Sequence, residues 1–208
     1  IIALARFYND LKFEEVKKIT NLFFPFLILF LPFFLVLTQP DLGTALSIII
    51  LGVFILFASG VRIWKFVLGF FLLLISIPLL LNYLKPYQKD RVISFLNPDA
   101  DALGSGYQLI QSKIALGSGG FSGKGFLEGT QSYLQYLPEK QTDFIFTLIG
   151  EEFGFLGTIF IILLFFLLIS ICYYVGIKSI HIFGRILSLG IGTNLFIYVI
   201  MNIAMVSG

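Results

Sequence analysis

The residues best placed to do chemistry lie in one polar stretch, residues 83–152, set between long apolar runs and carrying eight of the twelve acidic residues. Near its end, Thr142-Asp143-Phe144 stands where polar sequence re-enters an apolar run. A carboxylate at that depth loses hydration, which drives its pKa upward and makes it a better proton acceptor from a hydroxyl. The competing reading is an acid that balances the dipole at a helix N-terminus. Glu151 and Glu152, just ahead of the next apolar run, fit that role better. From the residues alone the two readings of Asp143 stand level.

Upstream, Gly117, Gly119, Gly120, Gly123 and Gly125 crowd nine positions. Such a run can line up backbone N–H groups as an anion-binding nest. It is not a Walker loop, because Ser118 occupies the first glycine position and Gly125 follows Lys124 where Ser or Thr is required. Glycine alone favours a tight irregular turn near a bilayer; Lys113 and Lys124 on either side tilt the reading toward a phosphate-bearing ligand. A third acid, Asp41 in Gln39-Pro40-Asp41, reads first as the N-cap of the following helix and second as a carboxylate facing a central cavity.

The surrounding elements are made for lipid. The chain is 58% hydrophobic and 12% charged, with 25 phenylalanines and a mean hydropathy of +0.96, against about 25% charged residues in soluble domains. A soluble fold of this size has too much surface for its volume to hide such a composition. The net charge of +2 and the lack of a basic run argue against nucleic acid. One cysteine, Cys172, excludes an intrachain disulfide and reads as a packed hydrophobe. The lone His181 has no partner for a metal site and reads as a span-edge residue. The opening IIALARF lacks an initiator Met and the features of a signal peptide, and both ends of the chain read as cut.

The pattern predicts an all-α polytopic membrane protein, treated as a single membrane domain over residues 1–208. After a helix stub at residues 1–8 come five spans, at residues 22–38, 42–59, 63–82, 153–175 and 183–206. Pro25 and Pro32 predict a kink in the first span. Arg6, Lys12, Lys17 and Lys18, then Arg62 and Lys65, then Lys178 and Arg185 fall on one side when the spans alternate, and that side is assigned to the cytoplasm. Residues 83–152 then form one large extracytoplasmic loop. Within it, Tyr107, Ile110 and Ile114 at helical spacing predict a short amphipathic helix on the membrane surface or packed on the bundle. Asn194, Tyr198 and Asn202, four apart in the last span, must face protein or water and read first as interhelical hydrogen-bonding residues.

Three blocks carry a family likeness: QPDLGTAL, then GYQLIQSKIALGSGGFSGKGFLEGTQSYLQYLPEKQTDFIFTLIGEEFGF, then NIAMVSG. They resemble the SEDS membrane proteins (shape, elongation, division and sporulation), nearest the rod-shape branch, over essentially the whole chain. The resemblance implies a fold of about ten spans, of which this sequence holds the later part of the fourth through the ninth. It implies a peptidoglycan glycosyltransferase of the bacterial cytoplasmic membrane that polymerises lipid II into glycan strands during elongation and releases undecaprenyl diphosphate. A class B penicillin-binding protein and other elongation-complex membrane proteins are the implied partners.

The family's TDF aspartate, its acid/base residue, falls on Asp143. Lys113, Ser118, Gly119, Gly120, Lys124, Gln131 and Thr142, with Arg91 and Asp41, become the expected substrate contacts. No cofactor is required; a divalent cation is left open, although the sequence offers no compact ligand cluster. The family's Glu and Lys near the start of its fourth span would precede Ile1, and its C-terminal Ser-Tyr-Gly-Gly signature would follow Gly208, so this fragment alone is expected to be inactive. Two other classes stay in view. A flippase or transporter for lipid-linked precursors would suit kinked spans with intramembrane polar residues. A non-catalytic scaffold for the transpeptidase would make Asp143 dispensable.

Overall fold

The computed structural model describes residues 1–39, 41–83, 105–129 and 144–207. All regular structure among the described residues is helical: α1 (Ile2–Asn9), α2 (Phe13–Val16), a 3₁₀ turn (Thr20–Leu22), α3 (Phe23–Thr38), α4 (Leu42–Ala58), α5 (Ile63–Tyr83), α6 (Ser105–Ser118), α7 (Ile145–Lys178) and α8 (Ile182–Ser207). Helices therefore occupy every apolar run that the sequence marks as a span. Three are long and apolar enough to cross a membrane, residues 20–38, α7 and α8; Gly43–Ala58 and Ile63–Leu72 are shorter apolar helices. Phenylalanines and leucines along α3, α5 and α7 point outward, a surface that lipid or further protein must cover.

The described residues group into two compact units. One holds residues 1–72 and 165–199; the other holds the described parts of 73–164 and 200–208. In the first unit, Leu4, Ala5 and Tyr8 lie on one face of α1 and pack with Val16, Ile55, Val61 and Ile186 into a buried core. Val16, Val61 and Ile186 stand directly beside Lys17, Arg62 and Arg185. At one contact in this unit the Lys65 ammonium donates to the Lys17 carbonyl at 2.9 Å.

The α3–α4 hairpin is held close where a Cβ at Gly52 would meet the Leu29 side chain. α4 opens on Asp41, whose carboxylate accepts the Thr44 amide at 3.0 Å, the N-cap that the first reading of this acid expected. It closes on a Schellman motif: Gly60 has φ of 94°, and Val61 and Gly60 donate to the carbonyls of Leu56 and Phe57. α7 and α8 meet through small residues, since a Cβ at Gly176 or Gly192 would press on Leu189 or on Cys172 and Tyr173. Tyr173 and Thr193 share a hydroxyl–hydroxyl hydrogen bond of 2.8 Å, and the Ser188 hydroxyl donates to the Cys172 carbonyl at 2.8 Å.

The prolines do not mark the main departure from helical geometry. Pro25 sits in the first turn of α3, where its missing N–H has no intrahelical partner to lose, and Pro32 lies inside a helix that continues through it. The break comes in α7 at Gly154, with φ of 65° and ψ of −160°. It divides α7 into a short first arm, residues 145–153, and a long second arm, residues 155–178.

The cap at Asp41 generates a test. The Thr44 hydroxyl and then the Thr44 amide hold the Asp41 carboxyl below the usual carboxylate range. Because the folded value is depressed, its contribution is present above the ordinary carboxylate pKa and is lost as pH falls through the folded one. Asp41→Ala should cost about 0.5–2 kcal/mol and Asp41→Asn little. In thermal unfolding of the full-length protein in micelles, the gap between wild type and Asp41→Ala should narrow on acidification. A gap that widens would contradict this assignment.

Candidate functional site

The chemistry-bearing residues described in the second unit gather where the glycine-rich loop, residues 119–129, meets the break in α7. Breaking a helix orphans carbonyls on one side and amides on the other. The loop supplies both sets of partners. The amides of Lys124 and Gly125 donate to the carbonyls of Glu151 and Glu152 at 3.0 and 3.1 Å, at the end of the first arm. The carbonyls of Gly120 and Phe121 accept from the amides of Phe155 and Leu156 at 2.9 and 3.2 Å, at the start of the second arm. Gly123 closes the loop on itself by donating to the Gly119 carbonyl at 2.8 Å.

The glycines follow from this backbone-on-backbone contact. A Cβ at Gly119 would collide with the Gly150 carbonyl, one at Gly123 with the Glu152 carbonyl, and one at Gly154 with the Gly123 amide. The glycine run is thus a splint for a broken helix. The anion nest expected from it does not form from its central amides, because those of Gly120, Gly123, Lys124 and Gly125 all donate within the chain.

A side-chain bond ties the same two segments. The Lys124 ammonium lies 2.9 Å from Glu151 Oε1; the Glu151 side chain is 0% exposed and that of Lys124 27%. Gly129 packs against the other carboxylate oxygen, where a Cβ would stand about 2.9 Å away. Glu151 was expected only as an acid ahead of a span. It instead sits within α7 as a buried, ion-paired group, and Glu152 beside it is also buried. The signal was present in the sequence: a pair of acids inside a lipid-facing chain, with a lysine in the only glycine-dense loop.

The other expected residues are distributed as follows. Lys113 is exposed on α6. Ser118 ends α6, its hydroxyl donating to the Ala115 carbonyl at 2.8 Å. Gly119 is buried against α7, while Gly120, with φ of 55°, has open space where a side chain would be. Asp41 belongs to the first unit, as the α4 cap. Arg91, Gln131, Thr142 and Asp143 lie outside the described residues.

Phe144 is described. It is buried with Ala115 of α6 and Val206 of α8, and its carbonyl accepts the Leu148 amide at 3.2 Å, so it occupies the N-cap position of α7. One turn further, Thr147 is fully buried with no hydrogen-bond partner for its hydroxyl. Of the polar stripe on α8, Asn194 and Asn202 are half-buried and Tyr198 is exposed. Thr193, next to the stripe, and Ser188 make interhelical hydrogen bonds to α7. Among the described residues no group of three His, Cys, Asp or Glu side chains could hold a metal ion.

Comparison with known proteins places this geometry in context. The family model described as "Cell cycle protein", FTSW_RODA_SPOVE, matches residues 1–208. The chain is 43% identical over 210 residues to the peptidoglycan glycosyltransferase MrdB of Escherichia coli (strain K12), covering all of this chain and 56% of that protein. It is 40% identical to a probable peptidoglycan glycosyltransferase FtsW of Trichlorobacter lovleyi, covering 54% of it. It is 38% identical to the stage V sporulation protein E of Bacillus subtilis, covering 57% of it. The chain thus spans about half the length of these relatives. Its fold is similar to a chain in the solved structure reported as "Structural coordination of polymerization and crosslinking by a peptidoglycan synthase complex". That match has a TM-score of 0.75 at 28% identity and covers 98% of this chain and 55% of that one.

The buried pair makes a directional prediction. Removing one partner of a buried ion pair costs about 3–5 kcal/mol when the survivor stays buried. Lys124→Met takes a counter-charge from a carboxylate with no exposure, whereas Glu151→Gln takes one from a partly exposed ammonium that can turn to solvent. Lys124→Met should therefore lower the unfolding midpoint of the full-length protein more than Glu151→Gln, and Lys124→Met/Glu151→Met should recover part of the loss. The opposite order of the single variants would mean that the pair is not buried as described.

Proposed function

Because the chain belongs to the FtsW/RodA/SpoVE family of cell cycle proteins, matching its model from residue 1 to 208, we propose that the full-length protein is a peptidoglycan glycosyltransferase of the bacterial cytoplasmic membrane. It polymerises lipid II during elongation of the cell. The observation that carries this reading is the 43% identity, over the whole chain, to a relative named for that activity. The likeness to a chain of a peptidoglycan synthase complex supports a class B penicillin-binding partner.

In this reading all five apolar helical runs cross the membrane, and residues 83–152 face outward. The contact of Lys65 with the Lys17 carbonyl brings basic residues from two of the loops together, which supports placing those loops on one side, the cytoplasmic one. The second arm of α7 begins at Phe155 and ends at Lys178, so as a spanning helix it has its two ends on opposite faces.

Asp143 is the proposed base. It takes the proton from the 4-hydroxyl of the acceptor sugar as that oxygen bonds to the donor's anomeric carbon. The bond from that carbon to the diphosphate breaks, undecaprenyl diphosphate leaves, and an α linkage becomes a β one. Two physical features support the role. The covalent chain keeps position 143 one peptide from Phe144, which is pinned by packing against α6 and α8, and a base must be held in place to be effective. Since Phe144 takes the N-cap position, the acid at 143 is not required to cap α7.

Departure of the diphosphate calls for positive charge. Lys113, exposed on α6, is the first candidate, with Arg91 beside it in the proposal. Lys124 contributes less, its charge being balanced by Glu151. Ser118, Gly120, Gln131 and Thr142 are the proposed polar contacts to the sugars and phosphates.

The break at Gly154 favours one other reading, since discontinuous helices mark transporter sites. Those sites lie near the bilayer midplane, whereas this break stands at the start of a spanning arm. Purified full-length protein with its transpeptidase partner distinguishes the two by making glycan strands from lipid II, not by moving it between leaflets. Asp143→Asn should lower the polymerisation rate about 10²- to 10⁴-fold with membrane insertion unchanged; a wild-type rate would remove the base assignment.

A further inference from the structure

We propose that the glycine-rich loop, residues 119–127, is seated at the edge of the lipid leaflet and not in the aqueous space above it, with the acyl chains of bulk bilayer lipid covering its outward Phe121, Phe126 and Leu127, while the exposed Ser122 and Glu128 turn to the headgroups.

Depth is the first observation. The second arm of α7, residues 155–178, is about 36 Å long at 1.5 Å per residue, slightly more than the roughly 30 Å hydrocarbon core. Its exposed residues are almost all apolar from Phe155 onward. Phe155 and Leu156 therefore lie at the edge of the hydrocarbon. The loop is hydrogen-bonded to the amides of those two residues through Gly120 and Phe121, so its backbone is held at the same depth.

The loop's outward chemistry is the second. Phe121, Phe126 and Leu127 are 67%, 71% and 64% exposed. Phe121 stacks with Phe155 at 6.0 Å between ring centroids and Phe126 with Phe153 at 6.2 Å, which makes the loop's apolar surface continuous with that of α7. Leu127 is held at φ of 64°, a conformation that L residues with side chains enter at a cost. The loop thus accepts backbone strain where it presents a bulky apolar side chain outward.

The helix leading into the loop is the third. α6 turns its small residues inward, with Ser112 and Ala115 fully buried, and its isoleucines, Ile110 and Ile114, outward. A helix docked on a soluble core would show the reverse polarity; small residues inside and large apolar residues outside is the arrangement used in lipid. The exposed Lys113 lies between the two isoleucines, where a long side chain reaches the headgroup phosphates from an apolar base.

This inference rests on the spanning of α7 and not on the catalytic reading, and its test reads no activity. Nitroxide labels at Phe121→Cys, Phe126→Cys and Leu127→Cys are placed singly in otherwise cysteine-free full-length protein. The protein is reconstituted with its transpeptidase partner in phosphatidylethanolamine–phosphatidylglycerol bilayers. Relaxation by oxygen, which partitions into lipid, is compared with relaxation by a water-soluble nickel chelate, with Lys178→Cys as the interfacial reference. Lipid seating predicts, relative to that reference, a gain in oxygen relaxation and a loss of nickel relaxation at all three positions. Strong nickel relaxation would place the loop in water and overturn the proposal. Weak relaxation by both reagents would show that another part of the chain or the partner covers it, and would equally overturn it.

Discussion

A helix broken beside a membrane leaves backbone amides and carbonyls that no water is on hand to satisfy, and the second unit is organised around that problem. An unpaired backbone group away from water costs several kcal/mol. At Gly154 the carbonyls of Glu151 and Glu152 and the amides of Phe155 and Leu156 would all be orphaned, and the loop between Gly119 and Gly125 meets all four. This requirement explains why a polar, glycine-dense segment sits in so apolar a chain. It also explains why the glycines fall where they do, since two backbones that exchange hydrogen bonds at this distance leave no room for Cβ atoms at 119, 123 and 154.

The Lys124–Glu151 pair belongs to the same device. A carboxylate with no solvent exposure is tolerated only when it is paired, and its partner comes from the segment that splints the break. Backbone and side chain thus reinforce one register between loop and helix. The consequence for chemistry is a division of labour among charges. Lys124 is held by a structural acid and cannot offer its full charge to an anionic ligand. Lys113, on the exposed face of α6, carries no such counter-charge among the contacts described. In the proposed reaction, departure of the diphosphate would draw on a cation of the second kind.

Much of the architecture was legible from composition and apolar run length. The helices fall where the hydrophobic runs end at charged or turn residues, and Asp41 behaves as its position before an apolar run implies. Of the basic residues read as lying on one side, Lys65 does meet the Lys17 backbone. Legibility failed where a residue's role depends on a partner distant in sequence. Glu151 looks like any acid ahead of a span until Lys124, 27 positions away, is brought to it. The prolines, a local signal, drew attention to the first span, whereas the non-helical break lies at Gly154, where contact with Gly123 leaves no room for a Cβ. The glycine run suggested a nest because nests and helix splints use the same residue type; only the position of the accepting carbonyls separates them.

The resemblance and the packing bear on neighbouring residues, Asp143 and Phe144. The motif likeness singles out Asp143 by its place in a block of sequence. The packing singles out its neighbour, Phe144, as the point where α6, α7 and α8 meet. General-base catalysis gains from fixing the acceptor within about an ångström of its productive position, and a base on an unsupported loop would forfeit that gain. Phe144 enters a three-helix contact at the start of an arm whose far end is splinted by Gly120–Gly125 and locked by a buried ion pair, so its own backbone is held by the whole unit. The break at Gly154 gives α7 a short arm, residues 145–153, whose direction is set apart from that of the long arm and which starts at this contact.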